Sequence, residues 1–377
     1  MGGDIMARRG LTALLNASGT ETVYGASRVP PEIIAEIADI LAVSVEMAEL
    51  QALASRIIAD ATGAEAGYVT NCSSASIVIA AAAAMTGDDR ARAEQLPDTS
   101  GMRDEIVLQR GHVVNYGSLI TGDLRLSGAR PVEIGAATDA ATYQMRAALG
   151  PRTAAALYVI SHHTTPTGMI PLDVFIAEVH AAGVPVIVDA AAEYGWPDVI
   201  GAGADLVLFS VQKALGGPTA GIIAGRADLV AACATQRFGV GRPMKAGKEA
   251  VIGAIAALER WRARDHAAEQ AAVCARAGAL AARLDGLSGL RATVVPDETG
   301  NPFSRTVLTI DPAVAGFDAS ELAKGIEDGA PRVLVRTLLA ERGVLLVDVR
   351  RLDAGELDLV AARVRGAVER LQGRRRT

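Results

Sequence analysis

The chain has 377 residues, half of them hydrophobic, and a formal net charge of −6. That length supports two domains around one large core, and the acidic balance argues against a nucleic-acid partner, which needs clustered Lys and Arg. No apolar run reaches the roughly 18 residues of a membrane-spanning helix, Ile77–Met85 being far too short, and MGGDIMARRG is not followed by the apolar core of a signal peptide.

Three cysteines, Cys72, Cys233 and Cys274, show no metal-ligand spacing, and a reduced cytoplasm fits these features. The basic tail Arg374-Arg375-Arg376 reads as a solvated end. Residues 11–29 form a polar lead-in that reads as an N-terminal arm. From Glu32 to Ala61 the spacing predicts a helix: Ile33, Ile37, Ile40 and Leu41, then Leu50, Leu53 and Ile57, recur at helical period. Pro31 sits just inside its start, where a missing N–H costs little. Domain boundaries are expected at 1–61 (arm and helix), 62–249 (large domain) and 250–377 (small domain with the long connecting helix).

Gly67–Thr70 is a short strand, Asn71-Cys72-Ser73-Ser74 a turn, and Ala75–Met85 an alanine-rich helix. Free N–H groups and the positive dipole end can hold an anion there; alternatively, Ser73 or Ser74 is an ordinary N-cap. Cys72 reads as a small residue in a tight turn, since nothing nearby would lower its thiol pKa. Asp88–Arg103 is charged and irregular, a surface excursion. Strands are expected at Glu105–Gln109, Pro131–Ile134 and Ala154–Ile160, and helices at Ala140–Leu149 and Leu172–Ala182. His112 follows the first of these strands. Ser161-His162-His163 follows the third, and two adjacent histidines on an extended strand point to opposite sides, so zinc is rejected. Strands alternating with helices from 67 to 225 predict an α/β fold: a mostly parallel sheet of the seven-stranded type, helices on both faces, followed by a smaller α+β C-terminal domain. No G-x-G-x-x-G opens a helix and no GxxxxGK[ST] exists, which leaves dinucleotides and nucleoside triphosphates without support.

Two stretches carry the chemistry. Val184-Pro185-Val186-Ile187-Val188-Asp189 is an apolar strand ending in an acid, and such ends face the ligand crevice of a parallel sheet. Then Asp205–Gly221, DLVLFSVQKALGGPTAG, places Lys213 between two apolar runs, before glycines that admit close backbone approach. The lysine is either solvated on a surface loop or kept partly neutral by desolvation, ready to condense with a carbonyl. An acid at one strand end and Ser-x-x-Lys after the next strand is the arrangement pyridoxal 5′-phosphate (PLP) needs: the carboxylate holds the pyridine nitrogen protonated, and the lysine carries the aldehyde.

With these residues in place, the chain resembles the fold-type-I PLP-dependent enzymes, and within them the selenocysteine-synthase-like group of seryl-tRNA selenium transferases and D-glucosaminate-6-phosphate ammonia-lyases. The likeness runs over nearly the whole chain. It is carried by NASGT (Asn16–Thr20), VEMAELQ (Val45–Gln51), TGAEAGYVTNCSSAS (Thr62–Ser76), QRGHVVNYGS (Gln109–Ser118), SHHTTPTG (Ser161–Gly168), VDAAAE (Val188–Glu193), SVQKALGGPTAG and GRPMKAGKE (Gly241–Glu249). The resemblance implies an aspartate-aminotransferase-like fold with NASGT near the active site. It assigns the turn with Cys72, Ser73 and Ser74 to the cofactor phosphate and places Asp189, Ser210 and Lys213 around the cofactor. His112 either stacks on the pyridine ring or is a hydrogen-bonded loop histidine. His163, with Thr165 as its competitor, falls near the residue that contacts the phenolic oxygen in similar enzymes.

Beyond a helix at 226–237, Arg242, Lys245 and Lys248 lie in a glycine-rich loop that either holds an anion, from the substrate or a neighbouring subunit's cofactor, or is solvated. Ala250–Leu287 reads as long helix with a break near Asp265. Strands near 290–295, 305–310, 333–337 and 344–349 and a helix at Leu357–Leu371 complete the chain. By resemblance an arginine of the small domain clamps the substrate α-carboxylate; Arg350 is preferred, with Arg305 and Arg336 available. The expected activity is that of a PLP-dependent lyase: Lys213 removes the Cα proton of an amino acid, a β-substituent departs, and ammonia and a keto acid are released. Racemisation, transamination, sulfur or selenium transfer, and a non-catalytic PLP-binding role are the alternatives. A homo-oligomer is expected.

Overall fold

The computed structural model describes residues 2–373, and the arginine tail at 374–376 lies outside them. The chain forms two units, Val29–Ala263 and Met1–Arg28 with Arg264–Thr377.

The larger unit is built on a seven-stranded sheet: β1 (Ala66–Thr70), β2 (Glu105–Gln109), β3 (Arg130–Ile134), β4 (Thr153–Val159), β5 (Val186–Asp189), β6 (Leu206–Ser210) and β7 (Gly221–Gly225). Their spatial order is β1-β7-β6-β5-β4-β2-β3. β7 is antiparallel to both neighbours and every other pairing is parallel, so β1 to β6 end on one common edge. Side chains alternate across the sheet: Val207 and Phe209 join one core cluster, Leu206 and Leu208 the other. Both faces are covered, which is why these strands read as unbroken apolar runs. On one face Trp196 stacks on Phe209 with ring centroids 4.3 Å apart. On the other the Ser73–Thr86 helix presents Ala80–Ala83, all fully buried; their short side chains bring the helix close to the sheet.

Two expectations for this unit are corrected. The single helix expected over Glu32–Ala61 is two, Pro31–Leu41 and Met47–Thr62. Between them Val43, Ser44 and Val45 are weak helix formers, and the Lys248 ammonium donates to the carbonyls of Leu41 (3.3 Å) and Val43, satisfying the first helix's end. The excursion Asp88–Arg103 contains a helix, Arg90–Gln95, because Asp89 accepts the N–H groups of Ala91 (2.9 Å) and Arg92 (3.2 Å) as its N-cap. The long helical region expected at Ala250–Leu287 does break near Asp265: Lys248–Arg262 ends the larger unit, and His266–Leu284 begins in the smaller one with Asp265 as its cap, accepting Ala268 N–H at 2.9 Å.

The smaller unit carries an antiparallel sheet with Ser304–Ile310 between Leu290–Pro296 and Val344–Val347. Helices His266–Leu284, Ala319–Glu327 and Ala354–Gly373 belong to it. Leu14–Ala17 pairs in parallel with Arg332–Val335, more than three hundred residues away. That ladder explains why the first 28 residues join the C-terminal part, and why the units divide at 28/29 and 263/264 rather than at the boundaries drawn from sequence.

Candidate active site

The C-terminal edge of the large sheet gathers the acid and the amine. Asp189 is the last residue of β5, in register with Val159 of β4 and Leu208 of β6. It is 5% exposed, and its Oδ1 accepts the Ala191 N–H at 3.2 Å. Burial pushes its carboxyl up to about 6, while the positive charge of Lys213 and the Ala191 hydrogen bond oppose the rise. Lys213 sits on a π-helical turn, Val211–Leu215, directly after β6. Gly216 ends that turn at φ +72°, a left-handed conformation that glycine adopts freely. Burial pulls the Lys213 ammonium below its usual range, against the pull of Asp189 and Glu193. The lysine is thus held where its neutral form is accessible, with a buried acid facing it through charge.

The anion-binding turn lies beside them. Cys72 is the N-cap of the Ser73–Thr86 helix, and its side chain caps nothing, which leaves the first-turn N–H groups for a ligand. The Ser73 hydroxyl bonds the Ser210 hydroxyl, and this ties the turn to the strand that leads into Lys213. Gly221 permits that closeness: a Cβ there would stand 2.5 Å from the Cys72 carbonyl and from Ser76 Oγ. Ser73, Ser210, Asp189 and Lys213, four residues singled out from the sequence, are thereby collected at one edge of one sheet.

Two residues were not anticipated. Tyr116 donates its hydroxyl to Asp123 Oδ2, and Ser74 Oγ donates to the Tyr116 hydroxyl at 3.4 Å. Asp123 lies on the short helix Ile120–Leu126 and is 4% exposed; burial pushes its carboxyl up. Its charge in turn raises Asp189. The sequence signal was an acid among Ile120 and Leu124 in a helix too short to show periodicity.

The histidines take different positions. His112 is buried, edge-on to Tyr158 with centroids 4.4 Å apart, and its Nδ1 accepts the Val159 N–H at 3.2 Å. Burial lowers its pKa to about 4, so it is neutral with the proton on Nε2. His163 is exposed, its ring tilted against His162 at 3.9 Å, whereas the Thr165 hydroxyl donates to the Ala137 carbonyl at 2.7 Å. Arg242 and Lys245 are exposed and form no ion pair among the described residues; Lys248 is taken by the helix end described above. A cavity of about 470 Å³ opens at the opposite, N-terminal edge of the sheet, lined by Arg103, His180, Asp205 and Arg226 among others. His180 and Arg226 are both bonded to Asp205 there, and no residue of the lysine site borders it.

In the smaller unit the three candidate arginines differ sharply. Arg350 grips Asp348, with Nη2 2.6 Å from Oδ2 and Nε 3.0 Å from both oxygens, and lies over the Phe303 ring at 3.9 Å. Arg305 pairs with Asp297 at 2.6 Å and approaches Asp348 at 3.9 Å. Arg336 is half-buried, forms no ion pair among the described residues, and is pushed down first by burial and then by the charge of Arg305. The NASGT turn closes on this cluster: Asn16 Nδ2 donates to the Gly19 carbonyl at 2.7 Å, and a Cβ at Gly19 would be 3.2 Å from Asp348 Oδ2.

Asp348 is buried, yet Arg350 and Arg305 outweigh that burial and hold its carboxyl at about 2. Its folded value lies below the ordinary 3.8, so the stability it contributes is present above that value and is lost as pH falls through about 2. Asp348→Asn removes the buried carboxylate that Arg350 grips and Arg305 approaches, and is expected to cost about 3–5 kcal/mol in denaturant unfolding at neutral pH.

A doubly covered seven-stranded sheet with one antiparallel strand, an acid ending one strand and a lysine after the next is the fold of the fold-type-I PLP-dependent enzymes. A solved structure of D-glucosaminate-6-phosphate ammonia-lyase superposes with a TM-score of 0.89 at 36% identity, covering 98% of this chain and 99% of that one. The model of the family described as SelA, L-seryl-tRNA selenium transferase, matches residues 43–276, and the chain belongs to that family. Among curated relatives, D-glucosaminate-6-phosphate ammonia lyase of Salmonella typhimurium is 37% identical over 97% of this chain and 98% of its own. The 5′-C-glycyluridine monooxygenase-decarboxylase of a Streptomyces species is 38% identical over 94% of this chain and 90% of its own.

Proposed function

We propose that this protein is a PLP-dependent lyase that releases ammonia from a β-hydroxylated amino acid or amino sugar acid. The observation that carries this reading is the opposed pair of Asp189 and Lys213 at the sheet edge, next to a helix start with no side-chain cap. The donor set suits PLP: a carboxylate for the pyridine nitrogen, an amine for the aldehyde, and free N–H groups with Ser73, Ser74 and Ser210 for the phosphate. Bound PLP supplies an electron sink for the pair left at Cα. Asp189, ionised, holds a proton on the pyridine nitrogen. Lys213, whose burial favours the neutral amine, takes the Cα proton. The β-hydroxyl leaves as water once it has received a proton, and hydrolysis of the released enamine gives the keto acid and ammonia. Full-length similarity to a protein named as an ammonia lyase supports elimination over racemisation, transamination, or sulfur or selenium transfer.

Arg242 and Lys245, exposed in the same unit as Lys213, are available to an anionic group of the substrate. A homo-oligomer in the cytoplasm completes the reading. The exposed apolar side chains Ile34, Leu41, Val43 and Met47, on and between the first two helices of the large unit, support self-association, while no helix among the described residues is long and apolar enough to cross a membrane.

The experiment is incubation of the PLP-reconstituted protein with 2-amino-3-hydroxy acids and amino sugar acids, following ammonia, keto acid, enantiomer and dissolved oxygen together. Equal yields of ammonia and keto acid with no oxygen consumed are expected. Oxygen uptake with loss of carboxylate would instead align the chain with the chemistry in its Streptomyces relative's name, and inversion without ammonia would make it a racemase.

A further inference from the structure

The Tyr116–Asp123 pair has no part in the steps above, and its placement is electrostatically odd. Asp123 is a buried carboxylate with no cation in ion-pair distance among the described residues. The groups that face it are the Tyr116 hydroxyl from the preceding loop, the Ser74 hydroxyl from the Ser73–Thr86 helix and, through charge, Asp189 at the end of β5. The ionic groups of the flanking elements are otherwise engaged: Arg125 of the same helix bonds Thr121, while Arg130 and Glu133 of β3 pair with Glu105 and Arg110. Ser74 lies in the first turn of the helix assigned to the phosphate, so a bound phosphate brings two or nearly two negative charges towards a buried third.

We propose that Asp123 takes up a proton from solvent when the phosphate of PLP binds at the Ser73–Ser74 turn, and that Tyr116 then turns its hydroxyl from Asp123 to the phosphate. In the free protein Tyr116 donates to Asp123, and Ser74 donates to Tyr116. Once Asp123 is protonated, its O–H donates to the Tyr116 oxygen, and the hydroxyl hydrogens of Tyr116 and Ser74 are released towards the anion. The charge of Asp123 is removed and two donors are gained, with one proton drawn from water and no other bond made or broken. Burial of Asp123 already favours the protonated form, and a nearby anion favours it further. The inference rests on the PLP reading of the site.

The test uses 4′-deoxypyridoxine 5′-phosphate, which lacks the aldehyde and cannot condense with Lys213, bound to the cofactor-free protein. Calorimetry at mildly alkaline pH in buffers of different ionisation enthalpy counts the protons. The wild type is expected to take up about one proton more than Asp123→Asn. Its affinity should fall more steeply with rising pH than that of the variant, by up to about tenfold per pH unit, the slope of one extra linked proton. Tyr116→Phe should bind about tenfold more weakly and lose the extra proton as well; it serves as the second test if Asp123→Asn does not fold. Equal proton counts in wild type and Asp123→Asn, or Tyr116→Phe behaving as wild type, overturn the proposal while PLP binding stands. Failure of the wild type to bind either this analogue or PLP overturns the cofactor reading and the proposal with it.

Discussion

Lys213→Ala is expected to abolish the visible absorption that the protein acquires with PLP and to lower ammonia release about 10⁴-fold, the upper range for loss of a positioned proton-transfer group. The expectation follows from how few amines exist. The chain has four lysines, Lys213, Lys245, Lys248 and Lys324, so no neighbouring amine of the same turn can substitute. Lys248 is held by the carbonyls of Leu41 and Val43, and Lys245 is exposed. Lys213 combines burial that lowers its ammonium pKa with two acids, Asp189 and Glu193, that pull the other way. Unaltered colour in the variant contradicts the assignment.

Asp189→Asn is expected to cut turnover about 10²–10³-fold, the range for removing one preorganised group at a developing charge. The amide fills the same volume but cannot hold a proton on the pyridine nitrogen. Burial places the Asp189 carboxyl at about 6 in the free protein, which gives a second signature. Wild-type affinity for PLP should weaken as pH falls through that value, because the acid must be ionised to meet a protonated pyridine, whereas the variant binds weakly throughout. Fluorescence titration with PLP at several pH values measures both.

Much of this was legible because the sheet is buried on both faces. Val186–Asp189 and Leu206–Ser210 read as apolar runs for that reason, and the acid ending the first and the lysine following the second stood out against them. Cys72 as a turn residue followed from local pattern, while the helix expected from Ala75 starts two residues earlier, at Ser73. The rest depended on contacts distant in sequence. Leu14–Ala17 is a strand only because Arg332–Val335 lies beside it. Tyr116 and Asp123 acquire meaning only when the fold brings Ser74 to them. Arg350 was the first choice for the substrate carboxylate, but no spacing rule shows that Asp348, two residues earlier, turns back to occupy it.

Borohydride reduction of the PLP-reconstituted protein, followed by proteolysis and mass spectrometry, tests the central claim most directly. The account predicts one phosphopyridoxyl group, on the peptide containing Lys213. Label on Lys245, Lys248 or Lys324, or no label at all, would contradict it.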